Sequence, residues 1–458
     1  MVPWREEFES RPLLVIAGAL AIGMAASYVP WHIAFLGPLL LLASKRRTYV
    51  LLIALAAVGW WSGSGGPVRP VMDRQYVEGV VTAVSAARPD PRGERLIARS
   101  GDLRLVMSWP NEERADLGDR LWVAGVLTPH GEASEGHWTF QGVAGRLRPA
   151  RVAVLERGPA WVRAGNDRRR DFVRFASSHM PEDAAVVANA ICFNHDVDLA
   201  PEVREALRRS GTIHVVSTSG LHVMLLALMV MKTFGYLPIP RVAQVLLLGA
   251  LLALYVAAAG LRAPAARAAV IAMLYFAAYL VGREEDSISA LAAAGAGYLL
   301  WEPHGLFDPG LQLSFVIFGA LVLFARCDEA VRHGRISGRS LVSGSLVAWS
   351  AATPLVAYHF GWVSWTGPVA NLMVAPIVPL AVATPLVAWI ASPIAPCLSG
   401  LLAANFAVPM AYGIVWAAAF AGGHEWAASP TPAFSAYWLP AIYGLALLLW
   451  RPLVRRAA

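Results

Sequence analysis

The chain has 458 residues, 57% of them hydrophobic and 15% charged, with a mean hydropathy of +0.51. These values exclude a single ordinary soluble domain, and many apolar runs approach the roughly 20 residues that cross a bilayer as a helix. The net charge of +7 is a weak sign of nucleic-acid binding, because membrane proteins collect cytoplasmic arginine anyway. Lys45 and Lys232 are the only lysines, and Cys192, Cys327 and Cys397 are far apart with no CxxC. Neither a disulfide framework nor a cysteine metal site is expected.

The N-terminus reads "MVPWREEFESRPLLVIAGAL", with acids beside Arg5 and Arg11 and no small-residue cleavage site. Its first apolar run therefore reads as a retained helix. Three apolar segments lie near 12–28, 31–43 and 49–63. A later group of about nine lies near 213–236, 241–260, 264–281, 287–302, 310–326, 341–359, 366–390, 394–421 and 436–451. Some are short or carry Pro and Gly, which points to tilted, re-entrant or broken spans. If "SKRR" at 44–47, "ARCDEAVRHGRISGR" at 325–339 and "RPLVRR" at 451–456 all face the cytoplasm, the count is even and both termini are cytoplasmic. The acidic "EPHGLFD" at 302–308 then lies outside, as expected. Arg262 and Arg267 also fall on the outer side, against the positive-inside rule.

The fold class expected is thus an α-helical polytopic membrane protein with a small extracytoplasmic β-barrel. Four parts are read: N-terminal transmembrane helices over 1–63, an OB-like domain over 64–160, amphipathic linker helices over 161–211 and a channel-type transmembrane domain over 212–458. In the second part "QYVEGVVTAV", "RLIARS", "LRLVMSW", "DRLWVAGVLT" and "QGVAGRLRPARVAVL" mix β-branched and aromatic residues between turns such as "RPDPRG". About five short strands suit an OB-fold, although strand counting alone does not separate it from an SH3-like barrel. Arg and acidic residues nearly balance there, so no strongly basic groove is read. In the third part "APEVREALRRSG" has Pro201 at the start, Glu202 in the first turn, arginines in the last and Gly211 just beyond. Such a helix lies on the outer membrane surface or packs on the barrel.

"SGTIHVVSTSGLHVMLL" at 210–226 follows directly. If helix resumes after Gly211, His214 faces Ser217 and Thr218, and Thr218 faces His222, at spacings of three and four. Lipid would penalise that polar face, so it turns into the bundle, either as interhelical hydrogen bonding or as the wall of a wet path.

The longer stretch "LRRSGTIHVVSTSGLHVMLL" resembles the signature of ComEC-type competence proteins, in which a Ser-Gly-x-x-His element precedes Ser-Gly-Leu-His. Further stretches agree in order: "GLRAPAARAAVIAML" at 260–274, "GREEDSISALAAAGAGYLLWEPHGLFDPGLQLSFVIFGAL" at 282–321 and "PLVAYHFGWVSWTGPVANLMVAPIVPL" at 354–380. The resemblance implies an inner-membrane channel that admits one strand of transforming DNA while the other is degraded outside. It also implies a cytoplasmic DNA motor, an external DNA receptor and a separate nuclease as partners. A single strand needs a wet route with hydrogen-bonding walls, cations near phosphates and aromatics for stacking. The candidate lining is His214, Ser217, Thr218 and His222, then Arg262 and Arg267, then Gln312 and Ser314, and Asn371. Each has a duller role open to it: the arginines can pair with Asp308 or helix ends, Gln312 and Asn371 can bridge helices, and "DPG" can simply start a helix.

Larger family members carry a C-terminal metallo-β-lactamase-like domain with a His-x-His-x-Asp-His motif. That motif does not occur in this sequence, so a short form with no nuclease of its own is expected. His195, Asp196 and Asp198 in "FNHDVDL" suit a turn better than a metal site. There is no HExxH, GxSxG or Walker A sequence, and no cofactor or catalytic residue is assigned. Some members have a cysteine pair in the OB-like domain, but here that stretch has none, and no disulfide is expected there. The alternatives are a small-solute permease, for which the β domain has no obvious use, and an intramembrane hydrolase using His214 or His222 with Ser217 or Ser219.

Overall fold

The computed structural model describes residues 71–446 apart from 72, 86, 91–92, 102, 110–114, 130–142, 194–198, 217–219, 262, 281–294, 299–307, 328–337, 436–437, 440 and 444. The expected segments 12–28, 31–43 and 49–63 lie outside the described residues, and 287–302 and 436–451 lie largely outside them.

Six strands come first: β1 (Gln75–Ala83), β2 (Arg88–Asp90), β3 (Gly93–Ser100), β4 (Leu103–Trp109), β5 (Arg120–Thr128) and β6 (Val143–Glu156). They pair in the order β1-β5-β6-β4-β3-β2, and β1 also pairs with β3 through Thr82–Arg99 and Ala83–Ala98. Five strands thus close into a barrel, with β2 a short addition beside β3. The β4–β6 pairing is parallel and the others antiparallel. Closure follows from the pattern, because inward residues such as Leu96, Met107, Leu121, Val123 and Leu147 are buried together and form the core. Opposite Gly125 the β6 register shifts, and a Cβ at that position would overlap the Arg148 carbonyl, so this crossing requires glycine.

Below the barrel, Asp119 is fully buried. Its Oδ2 accepts from Arg157 Nη1 at 2.9 Å and from the Asp116 N–H at 3.0 Å, while Oδ1 accepts from the Gly158 N–H at 2.8 Å. One side chain therefore ties the end of β6 to the turn before β5.

The helices are α1 (Ala160–His179), α2 (Glu182–Phe193), α3 (Pro201–Arg209), α4 (Gly220–Phe234), α5 (Arg241–Ala258), α6 (Ala263–Leu280), α7 (Pro309–Cys327) and α8 (Gly338–Phe360). After strand β7 (Trp362–Ser364) come α9 (Gly367–Val374), α10 (Ile377–Ala391), α11 (Pro396–Leu402) and α12 (Val408–Gly422), with β8 (Ala428–Pro430) antiparallel to β7. A π-helical turn at Ala403–Ala407 makes α11 and α12 one continuous rod. Among the described residues, three helices are long and apolar enough to cross a membrane: Arg241–Ala258, Gly338–Phe360 and Pro396–Gly422. The apolar run expected over 366–390 is two helices bent by 40°. The break falls at Ala375 and Pro376, where proline has no N–H to continue the first helix.

The chain divides into two compact units. One contains the described residues up to Asn166 and Leu237–Leu311, and thus the barrel, α5 and α6. The other contains Asp167–Tyr236 and the described residues from Gln312 onward. In the latter, Phe172, Phe193 and Trp389 meet edge-on, with centroids 5.0 to 6.4 Å apart, and α3 crosses α12 where Gly422 lies against the Ala206 carbonyl.

Candidate functional site

Helix α3 sets up the polar stretch. Pro201 opens it, and Glu205 accepts from Arg208 Nε and Arg209 Nε, each at 2.7 Å. Hydrogen bonds from these two arginines hold the Glu205 carboxyl down at about 2. The helix ends at Gly211, whose φ is +74°. The Thr212 N–H reaches the Leu207 carbonyl at 2.9 Å and the Gly211 N–H reaches the Arg208 carbonyl at 3.1 Å, the paired bonds of a Schellman ending.

This turn is clamped in place. Ser364 Oγ, at the end of β7, donates to the Arg209 carbonyl at 2.7 Å, and Trp349 Nε1 of α8 donates to the Ser364 carbonyl at 2.6 Å. The Ser210 and Thr212 hydroxyls, both fully buried, bond each other at 2.7 Å.

Helix does not resume after Gly211, and the single polar face expected there is corrected accordingly. Ile213–Val215 form one 3-10 turn, and among the described residues the next helix, α4, spans Gly220–Phe234. The left-handed glycine reverses the chain, and hydroxyl side chains that bond locally compete with helical hydrogen bonding. His214 lies exposed on the 3-10 turn, its Nδ1–H donating to the Gly211 carbonyl at 3.0 Å. His222 is buried in the first turn of α4. The two imidazoles sit on different elements, His214 on the 3-10 turn and His222 on α4. Ser217 and Thr218 lie outside the described residues, as do Ser219 and Arg262.

The remaining candidates fall into separate settings. Arg267 of α6 is 5% exposed, with Nη1 3.6 Å from Asp308 Oδ2 and its guanidinium 5.1 Å from the Tyr298 ring centroid. Asp308 precedes Pro309 at the start of α7 and accepts from the Gly310 N–H at 3.0 Å, so "DPG" does start a helix. Gln312 of α7 bridges to α8, its Oε1 2.8 Å from His359 Nε2. Ser314 is exposed two residues further on. Asn371 of α9 is half-buried, and its Oδ1 is buried without a hydrogen bond.

His359 and Tyr298 were not picked out from the sequence, although "AYHFGW" and "AGYLLW" stood inside the matched stretches. A lone aromatic or histidine in an apolar run has no local pattern that reveals its partner. Among the described residues, no three His, Cys, Asp or Glu side chains are grouped to hold a metal ion. Cys192 is buried in α2, and burial pushes its thiol up, away from a reactive thiolate.

Similarity to known proteins supports the same stretch. ComE operon protein 3 of Bacillus subtilis (strain 168) is 29% identical over 208 residues, covering 45% of this chain and 26% of that protein. Competence protein ComA of Neisseria gonorrhoeae is 28% identical over 224 residues, covering 46% of this chain and 30% of that one. The chain therefore spans less than a third of the length of either relative in these alignments. A 91-residue stretch is also 33% identical to Multiple epidermal growth factor-like domains protein 8 of Rattus norvegicus, covering 3% of that protein, which is too local to bear on function. No solved structure matches the chain. The model of the Competence protein family matches residues 191–456, more than half of the chain and the whole run from α3 through His359 and Asn371, and the chain belongs to that family.

Proposed function

We propose that the protein takes part in DNA uptake during natural competence, as an inner-membrane channel that conducts a single strand. Family membership supports the competence role, as do the two relatives whose names carry it. The observation that carries the channel reading is the clamped turn from Ser210 to Val215. It sets the Ser210 and Thr212 hydroxyls and the His214 imidazole ahead of the apolar helix α4, with His222 in that helix's first turn, where lipid offers polar groups no partner. His214, Ser217, Thr218 and His222 with Gln312, Ser314 and Asn371 would supply hydrogen-bonding walls, and Arg262 and Arg267 would meet phosphates.

In this reading 1–63 and 212–458 hold the transmembrane helices, with both termini cytoplasmic, and 161–211 joins the outer domain to the channel. The domain over 64–160 is OB-like, a reading supported by its closed five-strand order and its one parallel pairing, β4 with β6. A DNA motor inside, and a receptor and a nuclease outside, complete the pathway.

The test is uptake of labelled DNA by cells carrying His214→Ala with His222→Ala, with membrane levels of the protein verified. DNA retained outside the cytoplasm at normal protein levels is the expected outcome. Unchanged uptake would remove the turn from the route.

A further inference from the structure

We infer that Arg267, Tyr298 and the N-terminus of α7 form a phosphodiester-binding site in which the Asp308 carboxylate holds the place of the phosphate; assigning the phosphodiester to a DNA strand rests on the uptake reading above. A guanidinium buried to 5% exposure needs both a counter-charge and hydrogen bonds. Arg267 has the first only loosely and lacks the second: Asp308 stands 3.6 Å from Nη1, beyond hydrogen-bond length, and neither Nη1 nor Nη2 donates a hydrogen bond. The Tyr298 face adds a cation–π contact at 5.1 Å. A guanidinium is a planar fork of five donors that matches a carboxylate or a phosphate two-pronged, and here the fork is under-used.

Asp308 is divided between two tasks. Its Oδ1 caps α7 by accepting from Gly310, while Oδ2 faces Arg267. The helix behind it runs 19 residues, so its N-terminus carries a substantial positive end. These groups converge closely. A Cβ at Gly310 would stand 3.4 Å from Asp308 Oδ1 and 3.8 Å from Arg267 Nη2. The Asp308 side chain is 36% exposed, so the cluster opens on its side.

A phosphodiester has two non-bridging oxygens and one charge, the same valence as the carboxylate with more room between its substituents. Displacing Asp308 lets it take the guanidinium fork and the helix N-terminus together. Because each arriving phosphate must displace a carboxylate, the hold is weak and reversible, as conduction requires. Between phosphates the carboxylate keeps the buried cation compensated.

The experiment uses the full chain in zwitterionic nanodiscs and the anisotropy of a labelled oligothymidylate. Asp308→Asn removes the competing charge but keeps a capping oxygen, since Asn is as good an N-cap as Asp. It is expected to tighten binding about tenfold and to steepen the salt dependence by about 0.7 in log–log slope, the value for one added single-strand phosphate contact. Arg267→Gln, which removes the buried charge altogether, should weaken binding and flatten the slope by a similar amount. The double variant should lose the gain, and a methylphosphonate oligomer should never show it.

An unchanged affinity and slope for both single variants, or a gain that survives in the double variant, overturns the site. A gain seen only as retention of phosphatidylglycerol in anionic nanodiscs assigns the site to a lipid headgroup and overturns the strand. If cells lacking the chain take up DNA normally, the uptake reading fails and the anisotropy result still decides the site. If uptake needs the chain but Arg267→Gln binds like the wild type, only the site fails.

Discussion

The barrel's buried polar side chain, Asp119, is fully satisfied, whereas several buried polar side chains on the helices are not. In the barrel's closing turn, Asp119 is fully buried yet accepts three hydrogen bonds, one from an arginine. Among the described residues, the buried side-chain atoms without hydrogen bonds include both amide atoms of Asn166, Oδ1 of Asn189, Nη1 and Nη2 of Arg267, Oγ1 of Thr366 and Oδ1 of Asn371. All of these lie on helices or at a helix start, and none on a strand. A closed barrel pairs its strands with each other, so its polar groups are accounted for by the fold itself. A helix satisfies only its own backbone, and its side chains depend on what packs against them. A polar group left unpaired in a helical interior lowers stability, so its presence calls for a reason other than stability.

Removing the barrel's tie should have the largest effect. Asp119→Ala removes the carboxylate that accepts from two backbone N–H groups and from Arg157, and a loss of about 3 kcal/mol is expected, read by unfolding followed through Trp109 and Trp122. A loss below about 1 kcal/mol would mean that the barrel does not depend on this network. Asn371→Leu should do the converse: the branched outline is kept and an unpaired oxygen disappears, which offsets the cost of the larger side chain, so stability should change by less than about 1 kcal/mol while DNA uptake falls. A loss as large as that of Asp119→Ala, with uptake spared at matched protein levels, would make Asn371 structural and break the contrast.

The smallest effect belongs to Glu205. Its folded carboxyl sits at about 2, below the unfolded value near 4.3, so its contribution is present above that unfolded value and is lost as pH falls toward 2. Because the side chain is 40% exposed, solvent screening limits this to a few tenths of a kcal/mol. The gap in melting temperature between wild type and Glu205→Gln should therefore narrow between pH 7 and pH 3, and a constant gap would show that the arginine clamp on Glu205 contributes nothing.

Much of this was legible in sequence. Alternation marked the strands, Pro201 and Gly211 bounded α3, and "DPG" at 308–310 offered a helix start as one of two readings, because each of these signals is local. The continuous helix expected through His214 was not found. Spacing arguments assume a helix, whereas the Gly211 turn and the Ser210–Thr212 hydroxyl pair commit the chain to a 3-10 turn instead. The break at Pro376 inside an apolar run was foreseeable in kind but not in place, since proline also sits within α8 and α10 without ending them.

The sequence by itself determined the apolar helices, the small β domain and the polar stretch that begins at Ser210, because hydropathy, periodicity and capping act over neighbouring residues. Only the tertiary structure decided that β1 closes on β3, that Gln312 finds His359, 47 residues away, and that Ser364 clamps the end of α3 from 155 residues away. It alone also decided that Arg267 shares Asp308 with the start of α7. Those pairings depend on which helix faces meet, and no local pattern encodes a partner that far along the chain.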